Sequence, residues 1–202
     1  MSGSSLSVPR FSGKVTVTNE EINLLPLKAF EGKIVVISDA HRLKDAFEEI
    51  NTHPHIGFDT ETKPVFVKGH RNKVAILQIA LPAKVYLIRL LATGISPEIV
   101  RFFQNGRIQK AGVAIRDDIK ALQHLKRFQP AGFVELALLA RESGLEVESV
   151  KKLTALLLGF RISKSSQTSN WEADQLNEKQ ISYAATDAWV CLEIFKRLNS
   201  AA

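Results

Sequence analysis

The stretch "IGFDTETKPVF", residues 56–66, decides how this chain is read. Ile56 and Phe58 alternate with Gly57, as in a strand with one face on a core, and then Asp59 and Glu61 follow. Strand side chains alternate in direction, so the two acids share a face and Thr60 points away. Like charges held that close repel, and a structural strand gains nothing from the arrangement. The stretch alone leaves their purpose open, because Asp-x-Glu is short and arises by chance.

Outward from this strand the chain alternates strands and helices. "KIVVI" reads as a strand upstream, and Ser38 or Asp39 caps a helix with Leu43, Phe47 and Ile50 on one face. Downstream of a Pro- and Gly-bearing loop (62–72), "KVAILQIAL" and "KVYLIRLL" flank the short turn Pro82, Ala83, Lys84, an antiparallel hairpin. A helix over 97–103 and a strand "QKAGVAI" follow, then a helix over 117–127. "FVELALLARESGL" and "SVKKLTALLLGF" read as helices closed by Gly144 and Gly159. The polar stretch "RISKSSQTSNWEADQL" leads to a last helix, "NEKQISYAATDAWVCLEIFKRL". Strands dominate the first half and helices the second, an α/β layout with a mixed β-sheet flanked by helices. Residues 1–30 read as a largely irregular N-terminal arm, and 31–202 as one domain.

Composition is that of a globular chain, with 45% hydrophobic and 24% charged residues among 202. No apolar run approaches the roughly 18 residues of a membrane span, and the Ser-rich start has no apolar core of a secretory signal. The single cysteine, Cys191, suits a reducing, cytoplasmic setting and sits at helical spacing with Ala188, Leu192 and Phe195, as a buried thiol does. A net charge of +6 hints at a polyanionic partner, although many basic proteins bind no nucleic acid.

Two further acidic places resemble the first in setting. Asp117 and Asp118 follow an apolar strand and open a helix, where capping would explain either one. Tyr183 and Asp187 are four apart on the last helix and share a face, beside an apolar stripe, where a solvated edge is the plain alternative. Together these acids would make one pocket if the sheet brings the strand ends together. Such a pocket needs cations, and hard oxygen donors without Cys or His call for Mg²⁺ or Mn²⁺. Carboxylates around two such ions form the two-metal arrangement of phosphoryl transfer.

Three motifs in order, "FDTET", "AGVAIRDDIKAL" and "ISYAATDA", with "KSSQTSNW" before the third, carry a family resemblance over about residues 34–198. The chain resembles the tyrosine subclass (DEDDy) of the DEDD superfamily of 3′–5′ exonucleases, near its ribonuclease D and Werner-type branch. The resemblance implies a ribonuclease H-like (DnaQ-like) fold and release of nucleoside monophosphates from nucleic-acid 3′ ends, DNA first. An RNA-trimming exoribonuclease and a catalytically silent nucleic-acid-binding module are the alternatives. It further implies that Asp59 bridges both metals, that Glu61, Asp118 and Asp187 complete the ligands, and that Tyr183 orients the water. Spacing from "GVAI" in the family selects Asp118 over Asp117. The other subclass would have histidine five residues before Asp187, where this chain has Ser182. Two departures are visible: Ala114 stands where relatives often have glycine, and Glu135 where they often have aspartate.

Substrate contacts are expected from Thr60, from Phe66, Lys68, Arg71 and Lys73 in the basic loop after the acidic strand, and from Lys164. A basic loop with an aromatic suits phosphate contact and base stacking, and a solvated loop is an equal reading. "HPHIGFD" invites a zinc site through His53, His55 and Asp59, but Pro54 breaks the strand, and the remaining histidines, His41, His70 and His124, fall in no ligand spacing.

Overall fold

Apolar runs become strands here because each has a sheet neighbour and a helix to cover it. The computed structural model describes residues 13–65 and 72–200. The elements run α1 (Asn19–Leu24), β1 (Lys33–Ile37), a 3₁₀ turn (Ala40–Arg42), α2 (Leu43–Ile50), β2 (His55–Thr62), β3 (Val74–Ala80), β4 (Lys84–Arg89) and α3 (Leu90–Thr93). There follow α4 (Pro97–Gln104), β5 (Gln109–Gly112), α5 (Ile115–Leu125), β6 (Phe133–Glu135), α6 (Leu136–Glu142), α7 (Val150–Leu158) and α8 (Glu178–Ser200).

One sheet forms in the order β1-β4-β3-β2-β5-β6. β3 pairs antiparallel with both β2 and β4, while the β1–β4, β2–β5 and β5–β6 pairs are parallel. The sheet is therefore mixed, as its sequence pattern implies. β3 is buried at every residue, because helices cover both of its faces. On one face Phe58, Leu77, Ile79 and Ile88 pack against Leu43, Phe47, Ile99, Phe103, Ile115 and Leu122 of α2, α4 and α5. On the other, Ile76, Ala80, Val85 and Leu87 lie under Ala184, Ala185 and Ala188 of α8.

Two expectations need correction. "FVELALLARESGL" is not one helix: Phe133, Val134 and Glu135 form β6 beside β5, and α6 starts after them. The free edge of β5 offers backbone partners there, which local periodicity cannot reveal. The strand of "QKAGVAI" ends at Gly112, and the next helix starts at Ile115, because Ala114 turns the chain at φ 59°. Residues 13–30 are irregular apart from α1, and they are tied to the body. Thr18 and Glu21 form a capping box on α1, Ile22 is buried against Ala155, and the Phe30 N–H donates to Thr186 Oγ1 of α8 at 3.0 Å.

Candidate active site

The site exists because a strand and a helix touch backbone to backbone. A Cβ placed on Gly57 would lie 1.9 Å from the Ala188 carbonyl oxygen. Only glycine permits that approach. Ala184, Ala185 and Ala188 give α8 a small-residue face there. The contact carries Asp187 down beside β2, where Asp59 and Glu61 share the α8 face with Gly57. Asp187 is 5% exposed, so the solvated-edge reading of this helix position does not hold.

Asp118 arrives from the opposite face. Thr60 points away from its two acidic neighbours, as strand alternation requires, and its hydroxyl donates to Asp118 Oδ1 at 2.5 Å. Helix α5 thus reaches the rim of β2 from below while α8 reaches it from above. Neither Asp117 nor Asp118 caps α5. Ala114 holds the N-cap position in the left-handed region with no side-chain cap. The cap comes from Glu135, whose carboxylate accepts from the Ala114 and Ile115 N–H groups at 3.0 Å each, and from the Ala137 N–H at 3.3 Å. One acid therefore starts both α5 and α6. Its two departures from the family pattern meet here: alanine at a turn that favours glycine, stapled by an acid one methylene longer than aspartate. Asp117 is exposed and pairs with Lys120 at 3.2 Å.

Burial and mutual repulsion dominate the electrostatics. Burial, then the charges of Asp187, Asp118 and Glu61, hold the Asp59 carboxyl well above the usual range, against a hydrogen bond from the Thr60 N–H at 2.8 Å. Burial and the charges of Asp187 and Asp118 push Glu61 up to about 9. Burial likewise raises Asp187 to about 7, opposed by Tyr183 and the Lys164 ammonium, and Asp118 to about 6, opposed by Thr60. Burial and the neighbouring acids push the Tyr183 phenol upward, so it keeps its proton at neutral pH. Cys191 is 1% exposed and its thiol is also pushed up, as an inert core group.

Among the described residues no three His, Cys, Asp or Glu side chains yet enclose one point as ligands would. Their chemistry nevertheless suits a divalent ion: four carboxylates feel one another's charge, and hard oxygen donors match Mg²⁺ or Mn²⁺. His53 meets Thr52 and the Glu49 carbonyl, and His55 packs on Phe195, so neither joins Asp59 in a zinc site.

The surroundings fix Tyr183. Trp171 is fully buried and its ring lies 6.0 Å from that of Tyr183, under the segment after α7. Arg89 donates to the Ala173 and Asp174 carbonyls, and Lys63 pairs with Glu172 at 3.4 Å, which ties this segment to β4 and β2. Lys164 is exposed beside Asp187, and Lys73 is exposed at a cavity shared with Asp117, Lys120 and His124. Phe66, Lys68 and Arg71 lie outside the described residues. Sequence reasoning missed Glu135 as a cap and Gln78 beside Asp59. The second left a signal, since it is the one polar residue of the apolar run "VAILQIA".

The chain is 32% identical over 186 residues to the mouse bifunctional 3′-5′ exonuclease/ATP-dependent helicase WRN, covering 87% of this chain and 13% of that protein. The crystal structure of the Aedes aegypti Nibbler EXO domain superposes with a TM-score of 0.76 at 24% identity, over 86% of this chain and 92% of that one. Escherichia coli RNase D, an exoribonuclease involved in structured RNA processing, gives 0.73 at 22% identity over 84% and 45%. Both structural likenesses concern the fold. A family model described as 3′-5′ exonuclease matches residues 34–201, and the chain belongs to that family.

Proposed function

We propose that this domain hydrolyses the terminal phosphodiester bond at a nucleic-acid 3′ end and releases nucleoside monophosphates, with DNA as the first substrate. The observation that supports this most is the meeting of Asp59, Glu61, Asp118 and Asp187 beside Tyr183, from both faces of one sheet, in a chain of this family. The four carboxylates would hold two Mg²⁺ or Mn²⁺ ions, which when bound lower the pKa of water and neutralise charge on the phosphate.

The chain's own residues set the geometry. Tyr183 keeps its proton, so it serves as a hydrogen-bonding guide that aims the attacking water at phosphorus, not as a base. A water oxygen–phosphorus bond forms, the bond to the penultimate 3′ oxygen breaks, and that oxygen leaves with a proton. Thr60 holds Asp118, so its hydroxyl serves the acid directly. Lys164 and Lys73, with Lys68, Arg71 and Phe66, supply backbone charge contacts and stacking. A cavity of about 390 Å³ bounded by Leu27, Lys28, Ser163, Ser182, Tyr183 and Thr186 opens beside the phenol.

An RNA-trimming exoribonuclease is the second reading, favoured by the structural likeness to RNase D. Matched DNA and RNA strands, each blocked at one end or the other, are digested with Mn²⁺. Shortening from free 3′ ends only is expected, faster on DNA. Faster RNA loss selects the second reading. Binding of both strands without degradation indicates a silent module and overturns both.

A further inference from the structure

Gln78 occupies the centre of β3, fully buried, directly opposite Asp59 in the β2–β3 register. It therefore points to the α8 face, between Ile76 and Ala80 and beside Leu87 of β4. Neither its Nε2 nor its Oε1 has a hydrogen-bond partner among the described residues. A buried amide left unpaired destabilises a fold, and an apolar side chain of similar volume in its place would not. The remaining residues of β3 are apolar, so packing alone gives no reason for glutamine.

The group of matching chemistry is Glu61. Its register partner Ile76 lies two residues from Gln78 on β3, so Glu61 and Gln78 are diagonal neighbours on the α8 face, although neither polar atom of Gln78 is in hydrogen-bond contact. The strand register shifts beside this pair: Glu61 faces Ile76 and Thr62 faces Val74, leaving Ala75 as an extra residue on β3. Such bulges re-aim side chains next to functional sites. Trp171 Nε1 is a second unpaired buried donor in the same layer, so polar groups here outnumber their partners.

We infer that Gln78 is a positioning residue for Glu61: its Nε2–H donates to one oxygen of the ionised carboxylate and turns the other toward the cation. The inference rests on the reading of the four carboxylates as metal holders. Outer hydrogen bonds to ligating carboxylates fix their orientation, and their loss typically weakens metal affinity about 10-fold or more.

The test is Mn²⁺ titration calorimetry on wild type, Gln78→Met, Glu61→Gln and the double variant, with melting curves for each. Gln78→Met keeps the volume and removes the donor. Its metal-free melting temperature should equal or exceed that of wild type, while its Mn²⁺ affinity falls about 10-fold. Combined with Glu61→Gln it should add no further loss, because the donor acts through that carboxylate. If Gln78→Met fails to fold, Gln78→Asn retains the amide but falls one methylene short, and the same loss is expected. Unchanged Mn²⁺ affinity in a folded Gln78 variant, or losses that simply add in the double variant, overturns the inference alone. A wild-type protein that binds no Mn²⁺ overturns the metal-holding reading and the inference with it.

Discussion

Among the described residues, β5 and the rim of β2 both bury charge, and they treat it in opposite ways. Lys110 of β5 is fully buried, yet its Nζ donates to the Asn105, Ile108 and Ala131 carbonyls at 2.8, 2.9 and 3.0 Å. The rings of Phe102 and Phe133 flank it at 5.0 and 5.2 Å. All three protons are used, and the cation lies against aromatic rings. Burial lowers its pKa to about 8, so it stays mostly charged at neutral pH. At the rim of β2 the acids meet one another instead, with the exposed Lys164 as the cation acting on Asp187. A completed buried charge is part of the fold. An uncompleted one is held in place by the fold, and that difference marks the site.

The largest effect is expected from removing an acid. Asp59→Ala and Asp187→Ala should each lower turnover about 10³-fold or more, yet melt at or above the wild-type temperature without metal, since each relieves repulsion. A folded Asp59→Ala variant that degrades strands at the wild-type rate would refute the assignment. Lys110→Met should do the reverse. Three carbonyls lose their donor, at a cost of about 3 kcal/mol, measurable by urea denaturation, while turnover at a permissive temperature stays near wild type.

Tyr183→Phe removes the phenol hydroxyl and keeps the ring. It should keep strand affinity and lower kcat and kcat/KM together by about 10²-fold. A wild-type kcat with a raised KM would make Tyr183 a substrate contact.

The pH dependence of stability follows from the raised acids. Carboxylates in an unfolded chain titrate near ~4, whereas here Asp118, Asp187 and Glu61 stand at about 6, 7 and 9. Between those limits the folded state binds more protons than the unfolded one, so their contribution is fully present at low pH and is lost as pH rises through the window. Metal-free protein should therefore lose stability from these groups between pH ~4 and ~9, and Asp187→Asn should flatten the slope. A slope unchanged in Asp187→Asn would show that the cluster does not set it. The smallest effect belongs to Asp117→Asn. An exposed pair of this kind contributes little, and turnover should change by less than about twofold, against near-complete loss for Asp118→Asn.

Features that depend on neighbours within a turn or a strand were legible in the chain's local pattern. Alternation set Asp59 and Glu61 on one face with Thr60 on the other, and helical spacing aligned Tyr183 with Asp187. The apolar runs marked β1 to β4, and motif order carried the family. Features that depend on partners far along the chain came from packing. Glu135 caps a helix starting 20 residues before it, β6 is a strand because β5 has a free edge, and Gly57 admits Ala188 across 131 residues. Whether Asp187 was a wet helix edge or a buried acid could not be read from α8, because burial belongs to the strand it packs on. Gln78 shows the limit most sharply. Its oddity was visible as one polar residue in an apolar run, but only pairing with β2 placed it opposite Asp59. Local periodicity fixes which way a side chain faces, and long-range packing fixes what it faces.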